Sequence, residues 1–119
     1  MMIGAASDVS HANTQAIVVL VTASSELEAT NIGQAVVEGG VAACANIVPN
    51  LTSLFRWEGK LSKEQEVLIL IKSRLDLFQD LAAVIKRLHS YQVPEIIALP
   101  IIEGSSEYLK WVIESTVSH

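Results

Sequence analysis

The chain has 119 residues, which suits one domain with its own hydrophobic core. Half of the residues are apolar, and 13 acidic residues against 8 basic ones give a formal net charge of −5. The lack of a Lys/Arg cluster and of an apolar run near the ~20 residues that span a bilayer argues against nucleic acid and membrane as partners. A single cysteine, Cys44, leaves no internal disulfide and fits a reducing compartment, so we expect a cytoplasmic protein.

The chain begins with a polar stretch and then turns apolar. Residues 1–15 are small and polar, and they predict a flexible N-terminal arm ahead of a single domain over residues 16–119. Residues 16–21 form a continuous apolar run rich in Val and Ile. A run of this length predicts a β-strand that is covered on both faces.

The first helix has a clear beginning and end in the sequence. Ser25 and Glu28 have the Ser-x-x-Glu spacing of a capping box, and apolar residues then recur at helical spacing. Gly39 and Gly40 follow the last of them, and glycine readily adopts the left-handed conformation that ends helices. The pattern predicts one amphipathic helix between these signals.

A long β-hairpin is predicted in the middle of the chain. Its arms run over residues 42–57 and 61–73, with a bend at Pro49-Asn50 and a turn at residues 58–60. These arms are much longer than the usual strand of about five or six residues. An isolated two-stranded arm is not stable alone, and this one ends in the large apolar side chains Leu54, Phe55 and Trp57. We therefore expect a second subunit to pack against it.

The last third of the chain predicts a helix, a strand and a further helix. The helix covers residues 75–89, the strand residues 94–101, and a terminal helix starts near Gly104. The complete order consists of two βαβ-like halves with the hairpin between them. This order predicts an α+β, ferredoxin-like split βαβ sandwich with a long β-hairpin and an extra C-terminal helix.

Several segments resemble the CutA family of divalent-cation tolerance proteins, over residues 16–116. The segments are Val-Thr-Ala at 21–23, Ala-Ala-Cys-Ala-Asn-Ile-Val-Pro at 42–49, Phe-Arg-Trp-Glu-Gly-Lys at 55–60, Glu-Val-Leu-Ile-Leu-Ile-Lys at 66–72, His-Ser-Tyr-Gln-Val-Pro-Glu-Ile-Ile at 89–97 and Tyr-Leu-Lys-Trp at 108–111. Each motif is weak alone, but together and in this order they are specific. The resemblance implies a ferredoxin-like homotrimer, similar to nitrogen-regulatory PII proteins, that acts in tolerance of divalent metal ions, copper especially.

The chain differs from the family pattern at positions where relatives have proposed metal ligands. Bacterial relatives with proposed copper ligands carry a Cys and a His-His pair where this chain has Val21 and Leu88-His89. Only His89 of that set is retained. Many relatives also have His-Pro-Tyr, whereas the middle residue here is Ser90.

Three residues are candidate metal ligands for copper or another divalent ion, with no cofactor required. Cys44 offers a soft thiolate, although a free cysteine is often simply a small buried hydrophobe. His89 offers an imidazole, although a histidine at a helix C-terminus also stabilises the helix dipole. Glu95 offers a carboxylate; if it faces inward, a structural ion pair with Lys72 or Arg56 is the alternative.

A cleft between subunits is the expected place for a small ligand in such a trimer, and Trp57, Lys72, Tyr91 and Glu95 are its predicted lining. The aromatic pair Trp57 and Tyr91 also suits a subunit interface. No catalytic motif is present, so we expect no enzyme. Three functions remain open: weak metal binding in a tolerance protein, a PII-like sensor of a small metabolite or anion, and a scaffolding trimer.

Overall fold

The computed structural model describes residues 15–117. The predicted N-terminal arm, residues 1–15, lies outside this range except for Gln15. The elements in chain order are β1 (Ala16–Ala23), α1 (Glu26–Glu38), β2 (Cys44–Trp57), β3 (Lys60–Arg74), α2 (Phe78–Leu88), β4 (Ile96–Pro100) and α3 (Ser106–Glu114), with a 3₁₀ turn at Leu75–Leu77 before α2.

The four strands form one sheet in the order β2-β3-β1-β4, with antiparallel pairing between all neighbours. One edge strand, β2, is joined to its neighbour by the hairpin, and the other, β4, lies next to a strand that is distant in sequence. This topology confirms the predicted ferredoxin-like α+β fold with a long hairpin and a C-terminal helix.

Helices α1 and α2 cover one face of the sheet, and the core lies between them and the central strands. Odd-numbered residues of β1 and β3 point into it because side chains alternate along a strand. The buried core residues include Ile17, Val19, Val21, Val67, Ile69 and Ile71 from the strands and Ile32, Val36, Leu81 and Ile85 from the helices.

The other face of the sheet, which we call the open face, has no helix of residues 15–117 across its centre. Val18 and Leu20 of β1 are only half-buried there, and Ile97 and Leu99 of β4 remain about half exposed, at 47% and 48%. The described residues of one chain therefore cover residues 16–21 fully on the helix side and in part on the open face. Of the helices that the structure describes, α3 is the one that approaches this face, at one end, where Tyr108 contacts Cys44.

Helix α1 begins as the sequence predicts, with one difference in the cap. The Ser25 hydroxyl accepts a hydrogen bond from the Glu28 backbone N–H at 3.1 Å. The Glu28 carboxylate reaches back to the backbone N–H of Ser24, at 2.9 Å, and not to that of Ser25 as in a standard capping box. Glu28 is thereby held over the start of the helix.

The hairpin has the predicted bend and turn. The register between β2 and β3 shifts between Val48 and Leu51, and Asn50 adopts a positive φ of 66°. At the tip, Glu58 and Gly59 have φ of 50° and 79°. Positive φ at both central residues is typical of a type I′ turn, whose twist matches that of the flanking strands. The hairpin thus projects from the sheet and gives the chain a length of 53 Å.

Two strand boundaries differ from the prediction. β2 begins at Cys44 and not at residue 42, because the residues before Cys44 complete the turn after α1. β4 begins at Ile96 and not at Pro94, since its first pairing is between Ile96 and Val21. Among residues 15–117, no helix is long and apolar enough to cross a membrane.

Candidate functional site

A groove of about 560 Å³ lies between the hairpin and the loop that follows α2. The hairpin contributes side chains of the open face, because Phe55 and Trp57 lie across from Ser62 and Lys60 and therefore on the same side as Glu64 and Glu66. The lining residues are Phe55, Trp57, Ser62, Glu64, Glu66, Tyr91, Gln92 and Val93. The site therefore combines aromatic walls with two carboxylates.

Tyr91 joins the two sides of this groove. Its hydroxyl donates a hydrogen bond of 2.7 Å to Oε2 of Glu66, and both residues are half-buried. Burial, this hydrogen bond and the negative charges of Glu66, Glu28 and Glu64 raise the pKa of Tyr91 above its ordinary value. The phenol therefore stays protonated and keeps donating to Glu66 at neutral pH.

Glu28 fixes the start of the same loop to helix α1. Its Oε2 accepts a hydrogen bond of 2.6 Å from the backbone N–H of Ser90, while Oε1 accepts from Ser24. Burial by itself acts to raise the pKa of Glu28, but the hydrogen bonds from Ser24 and Ser90 outweigh it and lower the pKa to about 2. The carboxylate is therefore ionised at neutral pH and holds the loop through charge-assisted hydrogen bonds.

His89 has both ring nitrogens engaged within the chain. Nε2 lies 2.7 Å from the carbonyl oxygen of Thr22, and Nδ1 accepts a 3.0 Å hydrogen bond from the backbone N–H of Tyr91. This pattern places the ring proton on Nε2. The side chain is fully buried, and the imidazole lies against the Tyr91 ring with centroids 4.7 Å apart. His89 therefore positions Tyr91, and no ring nitrogen is left free for a metal in this arrangement.

The other predicted residues lie apart from one another. Cys44 is half-buried with Sγ 3.7 Å from the Tyr108 hydroxyl, and burial followed by this contact raises the pKa of Tyr108. The Lys72 ammonium donates to Oδ1 of Asn46 across the β2–β3 pair. Glu95 is exposed, and within residues 15–117 it forms no ion pair with Lys72 or with Arg56.

Of the predicted cleft residues, the structure brings two into the groove and leaves two outside. Trp57 and Tyr91 line it, whereas Lys72 and Glu95 do not. In the part of the chain that the structure describes, no group of three or more His, Cys, Asp or Glu residues is able to hold a metal ion. The predicted ligands Cys44, His89 and Glu95 are therefore not gathered by one subunit.

Sequence reasoning missed several lining residues of the groove. Glu64 and Glu66 are visible in the sequence only as acids beside the hairpin. Their place next to Phe55 and Trp57 follows from the turn at residues 58–59, which sets the register of the two arms. Gln92 and Val93 follow Tyr91 directly, so the position of Tyr91 in the loop was enough to predict them as lining residues.

Comparisons with known proteins agree with this fold. The family model described as CutA1 divalent ion tolerance protein matches residues 17–115. The divalent-cation tolerance protein CutA of Thermus thermophilus is 52% identical over 99 residues, which cover 83% of this chain and 96% of that protein. A solved structure of the divalent cation tolerance protein (Cut A1) from Thermus thermophilus superposes with a TM-score of 0.84 at 50% identity, covering 86% of this chain and 99% of that one.

A plant relative shows the same architecture at lower identity. The crystal structure of CutA1 from Oryza sativa gives a TM-score of 0.86 at 38% identity, covering 90% of this chain and 98% of that one. The family match spans both strands of the hairpin, the loop after α2 and all of α3. The chain belongs to the CutA1 family of divalent ion tolerance proteins.

Proposed function

We propose that this protein assembles as a homotrimer and acts in tolerance of, and response to, divalent metal ions, with weak metal binding at a cleft between subunits. The family name and the names of its relatives support the role in cation tolerance. They describe tolerance of an ion and name no reaction, which supports binding and not catalysis. The cytoplasmic location stays a prediction.

The apolar side chains on the open face of the sheet are the main support for assembly into a trimer. Antiparallel sheets that face water usually carry polar side chains there, whereas each of the four strands here adds apolar side chains to this face, beside polar ones such as Asn46 and Lys72. Its apolar residues are Val18, Leu20, Val48, Leu68, Leu70, Ile97 and Leu99. An apolar surface of this extent is typical of an interface, and the projecting hairpin provides a second one. The number of three copies comes from the family resemblance.

Light scattering coupled to size exclusion tests the assembly. We expect wild type to elute at three times the 12.9 kDa chain mass. Leu70→Lys places a charge on the open face and should lower that mass. Leu27→Lys is the matched control, because Leu27 is 73% exposed on the outside of α1. A monomeric wild type, or equal behaviour of both variants, contradicts the proposal.

Metal binding is proposed between subunits because the described part of one chain gathers no ligand set. Cys44 and Glu95 are accessible at least in part, whereas His89 is committed to Thr22 and Tyr91. Calorimetry with Cu²⁺ and Zn²⁺ should therefore show weaker binding in Cys44→Ser and Glu95→Gln at unchanged assembly mass. Identical binding in wild type, Cys44→Ser, Glu95→Gln and His89→Ala removes these residues as ligands.

A second candidate function is a PII-like sensor that binds a small molecule in the groove. The groove itself favours it, since 560 Å³ lies within the usual range for small-molecule sites and three of the eight lining residues are aromatic. The hairpin that forms one wall also projects from the sheet, where a partner protein can bind it. A thermal-shift screen of small metabolites should find a stabilising compound; a lack of any shift across nucleotides, organic acids and amines contradicts this role.

A further inference from the structure

We propose that the groove between the hairpin and the loop after α2 binds a small organic cation, a molecule that carries an ammonium or guanidinium group on an apolar body. This inference rests on the second candidate function, that the groove is a ligand site, and names the chemical class of its ligand.

The charge of the groove is negative and unbalanced. Glu64 and Glu66 both line it, and none of the described residues in its lining is a Lys, Arg or His. Lys60 lies across from Trp57 at the hairpin tip but is not part of the lining. Among residues 15–117, no ion pair joins Glu64 or Glu66 to a basic side chain. A positively charged ligand is therefore the complementary one.

The apolar walls favour an organic cation that has an apolar part. Phe55, Trp57 and Tyr91 supply three aromatic rings, whose faces attract ammonium and guanidinium groups and also cover apolar parts of a ligand. Val93, which is 87% exposed, adds an aliphatic surface at the rim. Aromatic cages are a recurrent way to bind quaternary ammonium ligands.

A bare metal ion fits this groove less well. Hard divalent ions such as Mg²⁺ and Ca²⁺ take about six or more oxygen ligands, and carbon walls provide none. Oε2 of Glu66 already accepts the Tyr91 hydroxyl, which leaves fewer oxygens for coordination. The described residues form no cluster of three metal-ligating side chains there or elsewhere. An organic cation uses both the carboxylates and the rings.

Calorimetry with choline, putrescine and agmatine tests the proposal on the full chain. We expect at least one of them to bind saturably below about 10 mM, and the neutral choline isostere 3,3-dimethylbutan-1-ol to bind at least ~10-fold more weakly than choline where choline binds. Glu64→Gln should weaken binding by about 10-fold, because Glu64 is exposed and its loss removes charge without disturbing the fold. Trp57→Leu should weaken it by a similar factor. Glu58→Gln removes a hairpin charge outside the groove and should leave affinity within about twofold of wild type.

Four binding outcomes, and one cross-linking outcome, overturn the proposal. The binding outcomes are no saturable binding by a folded wild type, equal binding of the neutral isostere, equal effects of Glu64→Gln and Glu58→Gln, and binding in the groove by Mg²⁺ or Cu²⁺ alone. A carbodiimide cross-link from Glu64 to a lysine of a second copy also overturns it, since the groove is then filled by the assembly. The assembly mass and the metabolite screen are measured separately, so a groove that binds a neutral or anionic compound leaves the sensor function standing while the cation proposal fails.

Discussion

The hydroxyl of Tyr91 donates to Oε2 of Glu66 at 2.7 Å, and this single bond links the loop after α2 to strand β3. The two residues are 25 positions apart in the chain. Their contact sets one side of the groove, because Tyr91 and Glu66 both line it. It also makes the loop geometry depend on a strand that continues into the hairpin.

Tyr91→Phe removes this bond and leaves the half-buried Glu66 carboxylate without its donor. Hydrogen bonds to charged groups are worth about 1.5–3 kcal/mol, so we expect a loss of that order in the free energy of unfolding at pH 7. Urea denaturation at fixed subunit concentration measures it. Tyr108→Phe is the matched control, since its hydroxyl makes only a long 3.7 Å contact with Cys44. Equal losses in both variants contradict the assigned role of Glu66.

Glu28 should make stability depend on pH in the acid range. Its pKa is about 2 in the folded chain against 4.5 as the ordinary value. At a pH between these two pKa values, Glu28 is protonated in the unfolded chain and ionised in the folded chain. The free energy of unfolding therefore falls as the pH drops from about 4.5 towards 2. The slope from this one group is at most about 1.4 kcal/mol per pH unit.

Denaturation curves of wild type and Glu28→Gln at several pH values between about 2.5 and 7 check this. The stability difference between the two should be largest above about pH 5 and shrink as the pH is lowered. Glu26→Gln, at an exposed position in the same helical turn, is the control for the loss of a surface charge. If the difference in unfolding free energy between wild type and Glu28→Gln does not change with pH, the ionised form of Glu28 is not what the Ser24 and Ser90 hydrogen bonds stabilise.

Two glycines with almost the same backbone conformation should respond differently to alanine. Gly40 and Gly59 have φ of 78° and 79°, where a side chain costs roughly 1–2 kcal/mol. A Cβ at Gly59 meets nothing within 4 Å, whereas one at Gly40 lies 2.5 Å from Cγ2 of Val117. We therefore expect Gly40→Ala to lose more stability than Gly59→Ala, as urea denaturation of the two variants measures.

Hydrogen exchange distinguishes backbone strain at Gly40 from the steric displacement of Val117. The Val117 backbone N–H donates to the Gly40 carbonyl at 2.9 Å, so displacement of Val117 by a new Cβ should speed exchange of that amide. Gly59→Ala should leave the Val117 exchange rate unchanged. Unchanged exchange in Gly40→Ala contradicts a close approach of the C-terminal segment at this point.

The predicted elements follow from short-range signals. Ser25 begins α1 and accepts from Glu28 because both groups lie within one helical turn. The hairpin turn at Glu58 and Gly59 needs two residues with positive φ and alternating strands on either side. The ends of β2 and β4 differ from the prediction, and so does the start of α2, where residues 75–77 form a 3₁₀ turn.

The single chain brings together two of the four residues predicted for the cleft. Trp57 and Tyr91, two of the predicted cleft residues, both line the groove of the single chain, since aromatic residues at a hairpin and at a helix-to-strand corner suit such a place. Lys72 and Glu95 lie outside this groove in the single chain, and their place in a cleft between subunits stays a prediction. Lys72 pairs with Asn46 near the end of β3 that is remote from the hairpin tip, and Glu95 faces solvent.

By itself the sequence determined the order of elements, the fold and the family, since these depend on periodicity, turn chemistry and motifs that lie within a few residues. Tertiary structure alone decided which groups meet across long separations. His89 reaches the carbonyl of Thr22, 67 residues earlier, and Glu28 holds the backbone of Ser90, 62 residues later. Such contacts depend on the strand register and on how α1 and α2 pack, and no local pattern encodes that geometry.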